Sequence, residues 1–195
     1  MIRIAKEFRK TKETAVEIEI NLDGEGKSHI KTGIGFFDHL LNALQKHAHL
    51  DMKINASGDL HIDGHHTVED VGIVLGVAFD KALGDRSGIA RFGHAYCPLD
   101  EALARAVVDI SGRGFLRFIS KMPARTFGDF DGELFEEFLR AFAHNAKITV
   151  HVTLLYGKNG HHAYEAMMKA LARAIRMAIS IEAGEKGIPS TKGAL

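Results

Sequence analysis

Hydrophobic and polar positions follow two different periods along this chain. Alternation at every second position predicts strands; the segments concerned are residues 2–8, 14–22, 28–31, 52–56, 90–98, 102–110, 115–120 and 148–154. Helical periodicity predicts four helices, at residues 37–44, 67 to about 83, 135–142 and 161 to about 181. Clusters of Gly, Ser, Asp, Asn and Lys at residues 57–59 and 157–160 predict turns.

The order of these elements occurs twice. Each half begins with strand-like segments, continues with a helix and a further strand, and ends with a second helix, and the halves meet near residues 86–93. Because no Pro/Ser-rich linker separates them, a duplicated α/β unit is the simplest interpretation. We expect one domain, residues 1–195, made of two repeats at about 1–90 and 91–195.

One motif is repeated in matching contexts. Residues 63–69 read DGHHTVE, and residues 159–165 read NGHHAYE. Residues i and i+4 share a helix face, so His65 with Glu69, and His161 with Glu165, can bind one ion. The second histidine of each pair points about 100° away and is free for another ion or the substrate. The repeat therefore indicates a metal centre that is built twice.

Both motifs follow an expected N-cap, Asp63 or Asn159, with a glycine in between. The ligands then lie near the positive end of the helix dipole, which favours a carboxylate ligand and an anionic substrate. A single His-His pair could equally be a capping or surface pair, but the repetition argues against that reading.

Two further residues join the metal set through the repeat. His39 lies on the first predicted helix, and its counterpart in the second half is Glu137. We expect Glu137 to face a metal, with water or His144 as the alternative ligand. Mixed imidazole and carboxylate ligands suit manganese, iron or zinc, and the carboxylate content favours Mn²⁺.

Cationic residues beside small-residue turns suggest phosphate binding. Arg91, Arg113 and the segment Ser190-Thr191-Lys192 combine fixed positive charge with hydroxyl and loop N–H donors. No P-loop or dinucleotide fingerprint is present, so a nucleotide is not indicated. No nucleophile elbow is present either.

The amino-acid composition limits the expected partners and cellular location. Lys+Arg and Asp+Glu are equal at 25 each, so we expect neither a nucleic-acid partner nor a membrane surface. The single cysteine, Cys97, fits a reducing compartment. No apolar run is long enough to span a bilayer, and we expect a cytoplasmic protein.

Several runs together resemble the imidazoleglycerol-phosphate dehydratase family, over nearly the whole chain and in the same order. The runs are residues 35–41, 58–70, 98–102, 109–113, 159–162 and 189–193. The resemblance implies an α+β fold, a two-layer α/β sandwich with a duplicated βαβ-type unit similar to domain 2 of ribosomal protein S5. It also implies dehydration of imidazole-glycerol phosphate to imidazole-acetol phosphate in histidine biosynthesis. A large cubic homo-oligomer is implied as well, with two Mn²⁺ ions per active site bound between subunits.

The resemblance also assigns residues. It implies metal ligation by His39, His65, His66, Glu69, His161, His162 and Glu165. It places Glu13 at the reacting glycerol carbons, and we expect Glu13, Glu165 and His65 to be catalytic. The phosphate-binding positions that it implies are Arg91, Arg113, Lys169, Ser190 and Lys192, to which we add Thr191. Lys169 follows Glu165 by four residues, so an ordinary ion pair is the alternative for it.

The chain departs from the family pattern at three positions. Ala43 replaces the usual Gln, Gly64 replaces the usual Asp, and Glu137 replaces a usual metal-binding His.

Two other functions are alternatives that match the motifs less well. Di-metal carboxylate oxidases place Glu-x-x-His on a four-helix bundle, whereas the order here is reversed and strands separate the helices. A non-catalytic histidine-rich metal-binding protein would need neither Glu13 nor the phosphate-binding set.

Overall fold

The computed structural model describes residues 2–184, 187–193 and 195. The elements of the first half are β1 (Ile4–Lys10), β2 (Thr14–Asn21), β3 (Ser28–Lys31), α1 (Gly35–Ala48), β4 (Asp51–Gly58) and α2 (His65–Leu83). The second half contains β5 (Phe92–Leu99), β6 (Ala102–Asp109), β7 (Phe115–Ile119), β8 (Thr126–Phe127), β9 (Phe130–Asp131), α3 (Glu133–Asn145), β10 (Thr149–Tyr156) and α4 (Gly160–Ile179).

The two halves build sheets of the same topology. One sheet has the order β1-β2-β4-β3 and the other the order β5-β6-β10-β7. In each, the last strand of the order pairs in parallel with its neighbour and the other pairs are antiparallel. Alternate residues of β2, such as Val16 and Ile18, are fully buried, which is the period-2 pattern of a sheet with one face on the core.

The helices of the two halves pack against each other across the repeat. Helix α1 packs against α4, and α2 packs against α3. Helix α2 also covers β1 and β2, and α4 covers β5 and β6. Each half is therefore a sheet layer and a helix layer, and the halves meet through their helices around one core. Fully buried aromatic residues fill that core: Phe37, Phe79, Phe130, Phe135, Phe138 and Phe142.

The predicted α+β fold and its eight longer strands and four helices are confirmed, with ends that differ by a few residues. The sequence pattern missed the short β8–β9 hairpin, because strands of two residues carry no measurable alternation. Helix α4 ends at Ile179, and Ile181 instead forms an isolated bridge with Ile89. Within the described ranges, no helix is both long enough and apolar enough to cross a bilayer.

Candidate metal centre and active site

Each His-His pair begins a helix, as the sequence predicts. Asn159 caps α4, and its side-chain oxygen accepts the His161 N–H at 2.9 Å. In α2 the N-cap is Gly64, one residue later than the expected Asp63. The Asp63 carboxylate still accepts the His65 N–H at 2.8 Å, so both motifs carry an oxygen acceptor at the positive end of the helix.

Three predicted ligands converge where α1 meets α4. Glu165 Oε1 lies 2.7 Å from His39 Nε2 and 2.9 Å from His161 Nε2. His39 and Glu165 are 126 residues apart in the chain, and the packing of the two repeats joins them. One donor atom from each residue lies within 4.8 Å of the other two, which is close enough for a single ion. We call these three residues the α1–α4 donor group.

The carboxylate of this group is strongly polarised. Burial works against ionisation of Glu165, but hydrogen bonds from Lys169, His39 and His161 prevail and lower its pKa to about 2. Lys169 Nζ lies 2.5 Å from Glu165 Oε2, the ion pair of residues i and i+4. Glu165 is therefore an anion whose second oxygen is already neutralised by a lysine.

Aromatic rings form a wall beside the α1–α4 donor group. Phe36 stacks on Phe127 with centroids 4.6 Å apart, and its ring lies 5.1 Å from that of His161. Phe127 belongs to the β8–β9 hairpin, which packs against the first turn of α4 so closely that a Cβ at Gly160 would lie 2.7 Å from the Phe127 ring. The hairpin thus shields one side of this group.

A second group lies at the start of α2. His66 Nδ1 is 3.0 Å from Asp59 Oδ2 and 3.9 Å from Glu13 Oε2. The hydrogen bond to Asp59 raises the pKa of His66, and the charge of Glu13 adds to the effect. The other oxygen of Asp59, Oδ1, is buried and has no hydrogen-bond partner in the structure.

Glu13 reaches this group from the β1–β2 turn. Thr11 Oγ1 accepts the backbone N–H groups of Glu13 and Thr14, at 3.1 and 3.0 Å. The hydroxyl of Thr14 bonds to the buried carboxylate of Asp70 on α2, and Arg9 Nε donates to the same carboxylate at 2.9 Å. The turn is therefore fastened to α2, while the Glu13 side chain itself stays 57% exposed.

His162 has a carboxylate partner that sequence reasoning did not select. Its Nδ1 lies 2.7 Å from Oε2 of Glu101, in the β5–β6 turn. Hydrogen bonds from His162 and from the backbone N–H groups of Asn159 and Lys158 lower the pKa of Glu101 to about 2. Asp59 was missed in the same way, although both residues lie in runs that carry the family resemblance.

Besides His162, three predicted ligands remain outside the two groups. His65 is exposed and lines a cavity of about 600 Å³ with Asp63, Thr126 and Glu133 among others. Glu69 is partly buried, and Glu137 Oε2 lies 3.6 Å from Arg140 Nε. Among the described residues, the donor groups that could hold one ion contain none of these three, and their metal ligation stays a prediction.

Two predicted phosphate-binding segments lie together at the far end of α4. Arg91 Nη1 donates to Pro189 O at 2.9 Å, next to Ser190, and its Nε donates to Asp109 Oδ1 at 2.8 Å. The backbone N–H of Arg91 bonds to Ala178 O on α4. More than three turns of helix, about 20 Å, separate Ala178 from Glu165.

The remaining residues that are predicted to bind phosphate do not all lie in one place. Arg113 belongs to the turn that follows β6, where an added Cβ on Gly112 would lie 2.3 Å from the Leu195 backbone. Thr191 and Lys192 are exposed in the turn after Ser190, whose hydroxyl accepts the Lys192 N–H at 3.2 Å. Lys169 lies instead beside the α1–α4 donor group.

Comparison with known proteins gives a consistent result. The sequence profile of imidazoleglycerol-phosphate dehydratase matches residues 32–175. Proteins of that name from Magnetococcus marinus and Clostridium botulinum strain Langeland are 55% and 56% identical to this chain, over 100% and 98% of it and 99% and 98% of their own lengths.

Solved structures agree with that result. The crystal structure of imidazoleglycerol-phosphate dehydratase from Staphylococcus aureus covers 92% of this chain and 99% of its own, with a TM-score of 0.83 and 41% identity. That of IGPD from Pyrococcus furiosus in complex with (S)-C348 covers 97% and 100%, with a TM-score of 0.82 and 36% identity.

Proposed function

This chain belongs to the imidazoleglycerol-phosphate dehydratase family, and we propose that its paired His-His-x-x-Glu motifs carry out the dehydration on two Mn²⁺ ions per active site. The reaction of this carbon–oxygen lyase removes water from imidazole-glycerol phosphate and gives imidazole-acetol phosphate, a step of histidine biosynthesis. The α1–α4 donor group carries the metal part of the proposal, because three predicted ligands meet there from both repeats.

The donor atoms of this group fit a divalent metal. Two imidazole nitrogens and one carboxylate oxygen form a mixed set that Mn²⁺, Fe²⁺ and Zn²⁺ all accept, and oxygen donors favour Mn²⁺. Glu165 is held as an anion, and the Nε2 atoms of His39 and His161 both point at it. The predicted ligands His65, His66, Glu69, Glu137 and His162 would supply the remaining positions of the two ions.

The chemistry demands both a Lewis acid and a proton carrier. The proton to be removed lies on a carbon next to an imidazole ring, so it is barely acidic, and a metal bound to the ring nitrogens supplies stabilisation of the resulting charge. We assign proton exchange at the glycerol carbons to Glu13, and its exposed carboxylate and fixed backbone support this role. We assign His65 and Glu165 to the catalytic set with it.

The distribution of the residues supports a site shared between subunits. Within one chain the Arg91 segment lies about 20 Å along α4 from Glu165, and His65 is exposed and is not a member of the α1–α4 donor group. A neighbouring subunit could bring its first motif and its phosphate-binding residues to this group. We therefore propose a large cubic homo-oligomer with the phosphorylated imidazole substrate bound between subunits.

Exposed apolar residues on the outer sheet faces are consistent with this assembly. Phe92, Tyr96 and Phe115 of the second sheet are each more than half exposed, as is Phe8 of the first. Large exposed apolar side chains on sheet faces are a feature that subunit interfaces would cover. We propose a cytoplasmic location, because Cys97 is a free, buried thiol and a reducing compartment keeps thiols in that form.

The experiment is a metal analysis of the purified protein combined with a dehydration assay. We expect Mn²⁺ to be bound and to be required for formation of imidazole-acetol phosphate from imidazole-glycerol phosphate. His161→Ala should lose metal and activity, while His29→Ala, which changes an exposed histidine outside both groups, should keep both. A metal-loaded protein that leaves the substrate unchanged would point to a metal-binding protein without catalysis.

A further inference from the structure

The second histidine of each motif is held by a carboxylate through the same ring atom. His66 Nδ1 lies 3.0 Å from Asp59 Oδ2, and His162 Nδ1 lies 2.7 Å from Glu101 Oε2. His39 and His161 behave differently, since both direct Nε2 to Glu165. The shared arrangement therefore belongs to the second position of the motif.

The chemistry of the partners fixes the tautomer of these two rings. An ionised carboxylate can only accept hydrogen bonds, so Nδ1 of each imidazole must be the donor. In the neutral ring, the lone pair that can bind a metal is then on Nε2. A carboxylate behind a metal-binding histidine also fixes the plane of the ring and makes it a better donor.

The carboxylates come from different places in the two repeats. Glu13 and Glu101 each directly precede the first residue of the second strand of their hairpin, β2 or β6, and so occupy the same repeat position. Glu101 serves His162 and also accepts the N–H groups of Lys158 and Asn159, at 3.1 and 2.7 Å. In the first repeat Asp59 holds the histidine instead, and Glu13 stays 3.9 Å away.

We propose that Asp59 and Glu101 are positioning residues that orient Nε2 of His66 and His162 toward the metals. Because Asp59 takes this role in the first repeat, Glu13 is left free for proton exchange with substrate, whereas its counterpart Glu101 is bonded to His162. The inference rests on the proposed metal-dependent function, and it concerns residues that act only through a histidine.

Metal affinity is the measurement that tests it. Apoprotein of the full chain is titrated with Mn²⁺ alone, and free Mn²⁺ is followed by electron paramagnetic resonance. We expect Glu101→Ala and Asp59→Ala each to bind one class of Mn²⁺ about 10- to 100-fold more weakly than the wild type. At saturating Mn²⁺ most of the kcat should return, because the positioning residue does not touch the substrate.

Conservative and remote variants complete the design. Glu101→Asp and Asp59→Glu should recover part of the affinity, while Glu25→Gln, a change at an exposed carboxylate that pairs with Lys27, should bind Mn²⁺ like the wild type. Circular dichroism establishes that each variant is folded, and an alanine variant that fails to fold is replaced by Glu101→Gln or Asp59→Asn. Those two amides lose the charge but keep an oxygen acceptor, so we expect a smaller loss of affinity.

Three outcomes would overturn the inference. The first is folded alanine variants that bind Mn²⁺ within twofold of the wild type. The second is loss of a whole Mn²⁺ equivalent in Asp59→Ala that excess metal does not restore, because Asp59 would then be a ligand itself. The third is wild-type apoprotein that binds no Mn²⁺, and this result alone would also remove the proposed function.

Discussion

A hydrogen bond fixes the backbone of Glu13, whereas its carboxylate is exposed. Thr11 accepts the Glu13 N–H, and the neighbouring Thr14 is bonded to Asp70 on α2. The carboxylate itself lies 3.9 Å from His66 and is more than half exposed. A side chain whose backbone is fixed and whose carboxylate is exposed, with only a long contact to a histidine, suits proton transfer and adds little to stability.

Glu13→Gln should therefore separate chemistry from folding. We expect kcat to fall by roughly 10²-fold or more, because the amide cannot exchange a proton, while the metal content, the melting temperature and the KM change little. Steady-state kinetics with metal analysis measures this. Turnover within a few-fold of the wild type would remove Glu13 from the mechanism.

Glu137 poses a different question, because its carboxylate contacts a cation of its own helix. Arg140 lies 3.6 Å from Glu137 and is bonded more closely to Glu136, at 2.7 Å. The repeat nevertheless makes Glu137 the counterpart of His39. If Glu137 binds a metal, its contact with Arg140 should break when the metal is bound. Glu137→Ala should then lose about one Mn²⁺ equivalent or bind it ~10-fold more weakly.

A variant at the neighbouring Glu136 and a second variant of Glu137 provide the controls for that prediction. Glu136→Ala should keep the full metal content, and Glu137→His, which restores the family residue, should keep activity. Metal analysis after gel filtration distinguishes the variants. Full metal content and turnover in Glu137→Ala would show that another group completes the site.

At the scale of single residues, the sequence points to candidate ligands more readily than to the carboxylates that contact them. His161 and Glu165 follow from helical spacing, and His39 follows from the repeat. Asp59 and Glu101 lie in turns, where no period marks which side chain will meet a histidine. The equivalence of Glu13 and Glu101 was a usable signal for the second of them, since the sequence already marked Glu13.

Among the elements, helices α1 and α4 align metal-binding candidates and charged side chains along their line of contact, which we call the seam. His39 and His47 are two turns apart on α1, and Glu165, Lys169 and Arg173 follow at four-residue spacing on α4. The seam therefore begins with the α1–α4 donor group and continues with cations. Helical periodicity predicted each helix, but the pairing of α1 with α4 depends on how the two repeats pack, which a single sequence does not state.

His47 should make stability sensitive to pH along this seam. Burial lowers its pKa from the ordinary 6.5, and the charges of Lys169, Arg173 and His49 add to this against the opposite effect of Glu165. The unfolded chain then binds the proton more readily, so stability present above about pH 6.5 is lost as the pH falls through the unfolded value toward the folded one. His47→Gln removes this contribution.

The measurement is the melting temperature between pH 8 and pH 5.5. We expect His47→Gln to lose less on acidification than the wild type, whereas His29→Gln, a change at an exposed position, should follow the wild type. Parallel curves for all three proteins would contradict the assignment.

The contact of β5 with α4 depends on a missing side chain. A Cβ at Gly93 would lie 1.9 Å from Ala174 O and 2.8 Å from Ala178 N, both backbone atoms of α4. Gly93→Ala should therefore displace the helix and destabilise the protein by about 1–3 kcal/mol. Thermal unfolding measures this, with Gly35→Ala as a control because a Cβ there meets no atom within 4 Å. Equal melting temperatures for the two variants would contradict the prediction.

For the whole molecule, the duplication explains why the fold could be predicted from the sequence. The same element order in both halves indicated the same sheet topology, and the two sheets have it. The β8–β9 hairpin interrupts the correspondence, because it occurs before α3 and has no counterpart before α1. The contacts that join the halves, such as the hydrogen bond from the buried Arg3 to Ile179 O at 2.6 Å, link residues too distant in the chain for any periodic signal.

Assembly and metal should be coupled in this protein. The α1–α4 donor group brings three predicted ligands together within one chain. His65 and Glu69 contribute to neither group, so a complete set of ligands needs a second subunit in our proposal. Metal that binds only at the shared site adds its binding free energy to association. Removal of the metal with a chelator should therefore lower the oligomer to smaller species, and added Mn²⁺ should restore both size and activity. Analytical ultracentrifugation of treated and reconstituted protein measures this directly. Chelated, inactive protein that still sediments as one large particle would show that apolar surfaces such as those of Phe92 and Tyr96 hold the assembly without metal.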